Sequence, residues 1–133
     1  MANVEWKDTA FKMRLAAIAV RNAGRAAAYA AGQSRRLMKK GGGKSHDAHS
    51  PPGHPPFVQT GRLRGSVTSQ VVREGNTVIG RYGSNVEYAR RLEKGFFGAT
   101  ANGVQVRQAP RPYLRPVLRI FKKELLAILF GKK

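Results

Sequence analysis

Residues 63–82 read LRGSVTSQVVREGNTVIGRY, and this stretch decides the fold class. Apolar residues recur between polar ones from Leu63 to Val71, and the same pattern returns from Val78 to Tyr82. The three residues Glu74-Gly75-Asn76 lie between the two runs and include a glycine. A period of two on both sides of such a turn predicts an antiparallel β-hairpin.

A long helix is predicted before the hairpin, over Val4 to Lys40. This stretch is rich in Ala, Leu, Met, Lys and Arg and contains no proline, and Asn3 before it suits an N-cap. Apolar residues at spacings of three and four outline a stripe in its first half, made of Trp6, Ala10, Met13, Ala17 and Val20.

The second half of this helix has small side chains. From Ala26 to Ala31 only Tyr29 is bulky, so another helix or backbone segment can approach closely there. Gly24 and Gly32 are expected to bend or interrupt the helix, since each costs ~1 kcal/mol relative to Ala.

A loop is predicted between the helix and the hairpin, over Gly41 to Gln59. It contains three consecutive glycines, four prolines and all three histidines of the chain, and few apolar side chains. Such a composition indicates a long segment that is mobile or ordered only by a partner.

The chain after the hairpin is predicted to form a short helix, a loop and a last helix. The short helix covers Val86 to Lys94 and ends at Gly95. The loop runs from Gly95 to Gln108 and contains a candidate strand at Val104 to Val106. Pro112 suits the first turn of the last helix, whose apolar face consists of Tyr113, Leu114, Val117, Leu118, Phe121, Leu125 and Leu129.

These elements predict an α+β fold with a long N-terminal helix, a small antiparallel β-sheet with a hairpin, a short helix and a C-terminal helix. The sheet has two assigned strands, and a third or fourth strand stays open. The length suits one domain over 1–133, divided into the helix 1–40, the flexible Gly/Pro loop 41–59 and the part 60–133 with the sheet and helices.

Composition excludes several classes of protein. The formal net charge is +18 and the chain has no cysteine, which rules out disulfide scaffolds and thiol chemistry. No stretch approaches the ~18–20 apolar residues of a membrane span. Such a charge favours polyanionic partners, and nucleic acid ranks ahead of a membrane surface.

No motif supports catalysis, a metal site or a cofactor. Gly43-Lys44-Ser45 lacks the preceding glycine and strand of a phosphate-binding loop, because position 38 is Met38. The spacing of the loop histidines matches no metal site, and no Gly-x-Ser-x-Gly elbow occurs. Glu93 next to Lys94 is interpreted as a surface pair. We therefore expect a protein that is not an enzyme and has no cofactor.

Three phrases in one order and spacing carry a family likeness: PFVQTGRLRGSV at 56–67, GSNVEYARRLEKG at 83–95 and RPYLRPVL at 111–118. Together they resemble the small neck or tail-completion proteins of tailed bacteriophages, also described as virion morphogenesis or head–tail joining proteins. The residues that carry the resemblance are Pro56, Thr60, Gly61, Leu63, Ser66, Tyr88, Ala89, Glu93, Gly95, Arg111, Pro112, Tyr113 and Leu114.

The chain departs from the family pattern at two places. Pro56 lies one residue further from Thr60 than usual, and Lys94 precedes Gly95 where the family commonly has an aromatic residue and a Thr nearby. The matching residues are interpreted as mainly structural. Thr60-Gly61 turns the chain into the strand, Tyr88 and Ala89 pack the short helix on the sheet, and Tyr113 and Leu114 anchor the last helix.

The resemblance implies a structural virion protein rather than an enzyme. On this resemblance, its subunits are expected to form a homo-oligomeric ring, a hexamer or dodecamer, between the head connector and the tail tube and around the DNA path. The implied partners are neighbouring neck, connector and tail proteins, and the implied location is the virion, with the host cytoplasm during assembly. The alternative is a stand-alone basic protein that binds nucleic acid without sequence preference.

The opening of a ring around DNA needs basic side chains that contact phosphates without recognising bases. On the predicted hairpin strand, Arg62 and Arg64 share one side, opposite Leu63 and Val67. The chain has no helix-turn-helix, zinc-finger or RNA-recognition signature, so we expect binding of double-stranded DNA without sequence preference. The candidate residues are Arg62, Arg64, Arg73, Arg81, Lys39, Lys40 and Lys44.

Overall fold

The structure is a computed structural model that describes residues 8–38, 53, 55–56, 61–99 and 101–131. The α+β class is confirmed, and the N-terminal helix α1 spans Asp8–Leu37. The interruption expected at Gly24 and Gly32 is wrong, because both lie inside this continuous helix. At Gly24 the helix lies against the hairpin, where an added Cβ would be 3.3 Å from the Val71 Cγ2. Packing against the hairpin offsets the cost of that glycine.

The predicted hairpin is confirmed. Strand β1 (Thr68–Glu74) pairs antiparallel with β2 (Thr77–Gly83), and Val71 lies opposite Gly80. Gly75 forms the turn with φ 58°, a left-handed conformation that favours glycine.

The predicted start of the first strand at Leu63 is wrong. Residues Arg62–Ser66 form a short helix, α2, which follows Gly61 at φ 79°. The Gly65 N–H donates to the Gly61 carbonyl at 2.8 Å, and the Ser66 hydroxyl donates to the Leu63 carbonyl at 2.6 Å. These local hydrogen bonds close a helical turn where the period of two predicts an extended strand.

The second half of the chain contains helix α3 (Ala89–Lys94), strands β3 (Phe96–Ala99) and β4 (Gln105–Gln108), and helices α4 (Arg115–Ile120) and α5 (Lys122–Leu129). Helix α3 begins three residues later than predicted. It ends as predicted at Gly95, which has φ 79°.

The loop predicted from Gly95 to Gln108 is instead a second hairpin. Strands β3 and β4 pair antiparallel, and the candidate strand at Val104 to Val106 is displaced towards Gln108. The described strands therefore form two separate two-stranded sheets and not one small sheet. The sequence of this segment did not predict the pairing, because it is rich in glycine and its few apolar residues show no clear alternation.

The last helix also differs from its prediction. It is divided at Phe121 into α4 and α5, and the proline in its first turn is Pro116, whereas Pro112 precedes the helix. Of the predicted apolar face, Tyr113, Val117 and Leu125 are buried, while Leu118 and Leu129 are about half exposed.

Helix α1 joins two hydrophobic cores. Its C-terminal end contributes to the first cluster, which contains Ala31, Met38, Leu63, Val67, Ala89 and Tyr113. Its middle contributes to the second cluster with α4 and α5, which contains Ala26, Ala30, Val117, Leu125 and Ile128. Tyr82 of β2 packs against both clusters. Because one rigid helix spans both cores, it fixes the hairpin relative to the C-terminal helices.

Candidate assembly and nucleic-acid surfaces

The N-terminal part of α1 forms an exposed segment, residues 9–21, about 20 Å long at 1.5 Å per residue. All of its residues are exposed except the half-buried Ala16. Its large apolar side chains have exposed fractions between 36% and 69%, namely Phe11, Met13, Leu15, Ile18 and Val20. Large apolar patches of this kind mark interaction sites on soluble proteins.

The exposed segment is apolar on two sides. Met13, Ala16 and Val20 line a cleft of about 580 Å³ that ends at Arg73 of the first hairpin. Phe11, Leu15 and Ile18 lie on another face at spacings of four and three, which we call the anchor face. A helix that is apolar on more than one side is typical of a buried helix.

Helix α5 lies on the same side of α1 as the anchor face but reaches only as far as Asn22. Asn22 lies one turn beyond Ile18 on the same side of α1, and its amide Nδ2 donates to the Leu129 carbonyl at 3.2 Å. Leu129 is the last residue of α5. The helix that covers this side of α1 therefore stops at Asn22, and the anchor face lies beyond it.

The stripe predicted from Trp6 to Val20 is therefore not part of the core. Trp6 lies outside the described residues, and Ala10, Met13, Ala17 and Val20 are all exposed. The buried face of α1 begins at Asn22 and consists mainly of alanines.

A second apolar surface lies between β2, the middle of α1 and the C-terminal helices. This groove, which we call the α5 groove, has a volume of about 400 Å³. Lys122 is its single charged residue, and the rest of its lining is apolar apart from the Tyr82 hydroxyl. The lining residues are Ala23, Ala26, Ala27, Ala30, Val78, Ile79, Gly80, Tyr82, Leu118, Lys122, Leu125, Leu126 and Leu129.

At the floor of the α5 groove, β2 lies very close to α1. A Cβ added to Gly80 would be 2.7 Å from the Ala23 carbonyl oxygen and 3.2 Å from the Ala27 Cβ. Only glycine on the strand and alanine on the helix allow this approach. The close approach predicted for Ala26 to Ala31 thus occurs, and it begins at Ala23.

The structure does not place Arg62 and Arg64 on one side of a strand. Both are exposed, but they lie in helix α2, where residues two apart point in different directions. Leu63 and Val67 are buried, as their assignment to the apolar side predicts.

The two hairpin arginines lie on opposite faces of the sheet. Arg73 is paired with Val78 and shares the face of Val71, which is directed at α1, whereas Arg81 is paired with Gln70 on the other face. Arg81 also forms an exposed ion pair with Glu74 at 3.7 Å. Lys39, Lys40 and Lys44 lie outside the described residues. The described candidates therefore do not form one basic surface.

Most arginines of the described residues are nevertheless exposed to solvent. In the described part of the chain, Arg111 is half-buried and the other arginines are exposed. Two of the exposed ones hold the fold: Arg35 donates from Nε and Nη2 to the Val67 carbonyl at 3.1 and 2.8 Å, and Arg91 lies 4.2 Å from the centre of the Phe96 ring. The positive charge is distributed over several elements.

Glu93 is a structural residue, and its interpretation as a surface pair with Lys94 is wrong. It is 8% exposed, and its carboxylate accepts three backbone N–H groups at the start of α4. Oε2 accepts from Tyr113 at 2.8 Å and Leu114 at 3.0 Å, and Oε1 accepts from Arg115 at 2.9 Å. A carboxylate here satisfies donors that have no partner within the helix.

The local sequence gives no sign of this cap, because Glu93 precedes its partners by about twenty residues. The single available signal is the resemblance, which places Glu93 and Tyr113 in two phrases of one pattern. The Arg111 N–H also donates to the Leu92 carbonyl at 2.6 Å. These contacts join the second phrase to the third.

The first phrase meets the other two in the first core cluster. Leu63 and Val67 lie there with Ala89 and Tyr113, and the Ser66 hydroxyl shares a hydrogen bond with the Ser84 hydroxyl. Pro56 is buried, Leu114 is half-buried, Tyr88 is 38% exposed, and Thr60 lies outside the described residues. The tight packing expected for the short helix therefore rests on Ala89 rather than on Tyr88.

Two tyrosines lie near the Glu93 carboxylate. Burial raises the pKa of Tyr82 to about 12, and the negative charge of Glu93 contributes to the shift. Burial likewise raises the pKa of Tyr113 to about 12, with smaller contributions from Glu93 and Tyr88. The Tyr82 hydroxyl donates to the Leu114 carbonyl at 2.6 Å, which ties β2 to the start of α4.

The described residues contain no group of three or more His, Asp or Glu that could hold a metal ion. The loop histidines His46, His49 and His54 lie outside that part of the chain. Every helix that the structure describes is too short or too polar to span a bilayer. Comparison of the chain with protein-family models, curated proteins and solved structures gives no match.

Proposed function

We propose that this chain is a non-enzymatic structural protein of a tailed-bacteriophage virion. In this proposal its subunits form a homo-oligomeric ring at the head–tail junction, between the head connector and the tail tube. The ring surrounds the path of the DNA and contacts neighbouring neck, connector and tail proteins. The protein then resides in the virion and, during assembly, in the host cytoplasm.

The exposed segment of α1 is the observation that carries the proposal. Five large apolar side chains between Phe11 and Val20 are exposed over more than a third of their surface. A helix gains little from large apolar side chains that stay exposed, since helical stability in proteins comes mostly from packing of an apolar face. The segment is thus suited to a subunit that is completed by its neighbours.

The sequence resemblance is our reason for proposing a phage virion as the assembly. The three phrases that carry it meet in one core around Tyr113, where Glu93 caps α4. Those of their residues that the structure describes hold the fold together, which agrees with a structural role.

The charge agrees with a position around DNA. A net charge of +18 with mostly exposed arginines gives a strong attraction for phosphates. DNA that passes through a ring has no fixed register, so contacts with phosphates suffice.

Electron microscopy of the purified chain tests the ring. The expected image is a closed ring with a central opening, and labelling of virions from a phage that encodes the chain should place it between head and tail. Because like-charged subunits repel one another, rings should be favoured at higher salt. A chain that stays monomeric at low and high salt, alone and with its virion partners, contradicts the proposal.

The exposed arginines favour a second candidate function, a stand-alone protein that binds nucleic acid without sequence preference. The double variant Arg62→Ala plus Arg64→Ala should then bind two unrelated duplexes more weakly by the same factor and with a flatter salt dependence. Its matched control is Arg115→Ala plus Arg119→Ala, which removes two exposed charges from α4.

The two functions differ in oligomeric state and in which charges matter. Strong DNA binding by a strict monomer supports the stand-alone function. Equal losses in the two double variants show that total charge, and not the α2 arginines, determines binding. Circular dichroism serves as the folding control, since exposed charges contribute little to stability.

A further inference from the structure

We propose that the second hairpin, β3–β4, contains a binding site for single-stranded nucleic acid, in which an unpaired base stacks on the side chain of Phe97. Arg107 and Lys94 beside this side chain bind the phosphates of the strand. The site goes beyond the functions proposed above, since it uses neither the α2 arginines nor the contacts of a subunit ring.

Phe97 is the most exposed large hydrophobic side chain among the described residues, with an exposed fraction of 77%. A single exposed apolar side chain is common on protein surfaces. The groups around Phe97 therefore decide what it can bind.

Two cations lie beside Phe97. Arg107 is its partner across the hairpin, and paired residues of antiparallel strands share one face with their Cβ atoms about 4.5–5.5 Å apart. Lys94 at the end of α3 is exposed like Arg107, and all three residues line the same cleft. Among the residues that the structure describes, neither cation forms an ion pair. An aromatic side chain and two cations without a carboxylate partner thus face one opening.

The cleft at Phe97 has the size and chemistry of a site for one nucleotide. Its volume is about 560 Å³, and sites for small ligands have about 300–1,000 Å³. Its lining also contains the amide side chain of Gln108 and the apolar ring of Pro110. Stacking on an aromatic side chain and contacts between cations and phosphates are how proteins bind single strands without sequence preference.

The neighbouring Phe96 shows what a phenylalanine of this hairpin looks like when the chain covers it. Consecutive strand residues point to opposite faces, and on its face Phe96 has the Arg91 guanidinium 4.2 Å from its ring centre. The Phe96 ring also lies over Gly98, where an added Cβ would be 3.0 Å from its Cζ atom. Phe96 is half-buried by these contacts, whereas Phe97 keeps its ring exposed.

Charge indicates that the occupant of the cleft comes from outside the chain. The chain has 25 Lys and Arg but 7 Asp and Glu. The residues outside the described ranges contribute two of these carboxylates, Glu5 and Asp47, and six lysines. Such segments, or a second copy of the chain, would add positive charge to a positive site. A polyanion from outside is the partner that complements it.

The exposed ring favours a single strand over other polyanions. In a duplex the faces of the bases stack on one another, and the grooves present their edges. An unpaired base offers its face to an aromatic side chain. The carboxylates of an acidic peptide would pair with the cations but leave Phe97 without a partner.

Tryptophan fluorescence tests whether a base stacks at position 97. The chain has one tryptophan, so the double variant Trp6→Phe plus Phe97→Trp carries its single tryptophan in the site. Its emission should be that of an indole in water, and a thymidine oligonucleotide of about 16 nucleotides should quench it. An abasic sugar–phosphate oligomer of the same length should leave the emission unchanged.

A blue-shifted emission that the oligonucleotide does not change would overturn the site. It would show that another segment of the chain, or another copy, covers position 97. Equal quenching by the abasic oligomer would also overturn it, because a strand without bases cannot stack.

Affinity measurements separate stacking from attraction by charge. Phe97→Ala should weaken binding of the thymidine oligonucleotide about 5- to 150-fold, the contribution of one stacked base. Its affinity for a duplex of the same length should stay unchanged, since the net charge is the same. Arg107→Ala should lower the slope of log affinity against log salt by about 0.7, the value for one phosphate contact with a single strand.

Two variants control the affinity measurement. Phe130→Ala removes a side chain that is 75% exposed and follows α5, and it should leave both affinities unchanged. Phe97→Tyr keeps an aromatic ring and should keep the affinity for the oligonucleotide. A loss in Phe97→Tyr as large as in Phe97→Ala, or equal losses for single strand and duplex, contradicts stacking.

Electron microscopy of Phe97→Ala distinguishes this site from the proposed subunit ring. Subunit rings formed by the unsubstituted chain should persist in Phe97→Ala, with an unchanged circular dichroism spectrum. Their loss in Phe97→Ala would show that Phe97 contacts a neighbouring subunit, which overturns the nucleic-acid site but leaves the proposed subunit ring standing.

Discussion

The two halves of α1 use their apolar residues in opposite ways. The N-terminal half exposes Phe, Met, Leu, Ile and Val side chains, whereas the half after Asn22 buries mainly alanines. The large residues lie before Asn22, beyond the point that the end of α5 reaches. The small residues lie where β2 approaches to within contact of the helix backbone, as at Gly80 and Ala23.

This difference shows that side-chain size alone does not identify a core. A small side chain can be fully buried because it permits close packing of backbone on backbone. A large one can be exposed because its partner belongs to another molecule. Predictions for the half of α1 after Asn22 concern the stability of the free chain, and predictions for the exposed segment concern assembly.

The largest effect on stability is expected in the core to which the half of α1 after Asn22 contributes. Replacing Glu93 by alanine removes the acceptor of three backbone N–H groups at the start of α4. The free energy of unfolding should fall by about 3 kcal/mol or more, since each buried donor without a partner costs about 1–3 kcal/mol. Urea denaturation followed by circular dichroism measures this loss.

Two further variants control that measurement. Glu87→Ala removes an exposed carboxylate just before α3 and should change stability by less than about 0.5 kcal/mol. Glu93→Gln keeps one acceptor oxygen and should be intermediate. Equal stability of Glu93→Ala and Glu87→Ala would show that the carboxylate does not hold α4 in place.

Because β2 lies close to α1 at Gly80 but not at Gly32, replacement of glycine by alanine should have opposite effects on stability at these two positions. Gly80→Ala should destabilise the chain by about 1–3 kcal/mol, because its Cβ meets the Ala23 carbonyl oxygen at 2.7 Å. Gly32→Ala should stabilise it by about 0.5–1 kcal/mol, since it lies inside α1 with no atom within 4 Å of the added Cβ. Thermal unfolding of both variants compares the signs, and a stabilising Gly80→Ala would refute the tight contact.

Tyr82 connects both core clusters and should give a pH-dependent effect. At pH 7, Tyr82→Phe loses the hydrogen bond to the Leu114 carbonyl and about 0.5–1.5 kcal/mol of stability. The pKa of Tyr82 is about 12 in the folded chain and 10 is its ordinary value. As pH rises from 10 to 12 the unfolded chain loses this proton first, so the native tyrosine loses its contribution.

The stability difference between Tyr82→Phe and the unsubstituted chain should therefore shrink above pH 10. Tyr113 is present in both proteins, so its own ionisation cancels in the comparison. Urea midpoints at pH 7, 9 and 11 provide the measurement. A difference that stays constant or widens at high pH would argue against burial of the Tyr82 hydroxyl.

The smallest effect on the free chain is expected in the exposed segment. Leu15→Ser plus Ile18→Ser should change the free energy of unfolding of the monomer by less than about 0.5 kcal/mol per site, because both side chains are about half exposed. Light scattering should nevertheless show loss of the oligomer that we propose. The control Ala10→Ser plus Ala17→Ser, away from the anchor face, should leave the oligomer intact.

Several features could be predicted from the sequence because they depend on neighbours along the chain. The hairpin follows from a period of two around Gly75, and the end of α3 follows from Gly95 in a left-handed conformation. The long helix follows from its composition, and its close contact with another element follows from the alanines after Gly24. Each of these signals depends on residues a few positions apart, so it can be recognised in the sequence.

The candidate surfaces were predicted less well. The sequence indicated an apolar stripe in the first half of α1 and a set of arginines, but not which of them lie together. The pairing of Arg73 with Val78 and of Arg81 with Gln70 places the two arginines on opposite faces. A helical turn at Arg62–Ser66, closed by two local hydrogen bonds, overrides the alternating pattern. The strand register and these local hydrogen bonds decided the placements.

By itself, the sequence determined the α+β class, the first hairpin, the long helix and the net charge of +18. The tertiary structure decided that Glu93 caps a helix about twenty residues later, that a second hairpin forms, and that bulky residues of α1 are exposed while its alanines are buried. The physical reason is the distance along the chain over which each interaction acts. Turn chemistry and periodicity are local, whereas caps, burial and strand pairing depend on which distant segments meet, and that follows from the packing of the whole chain.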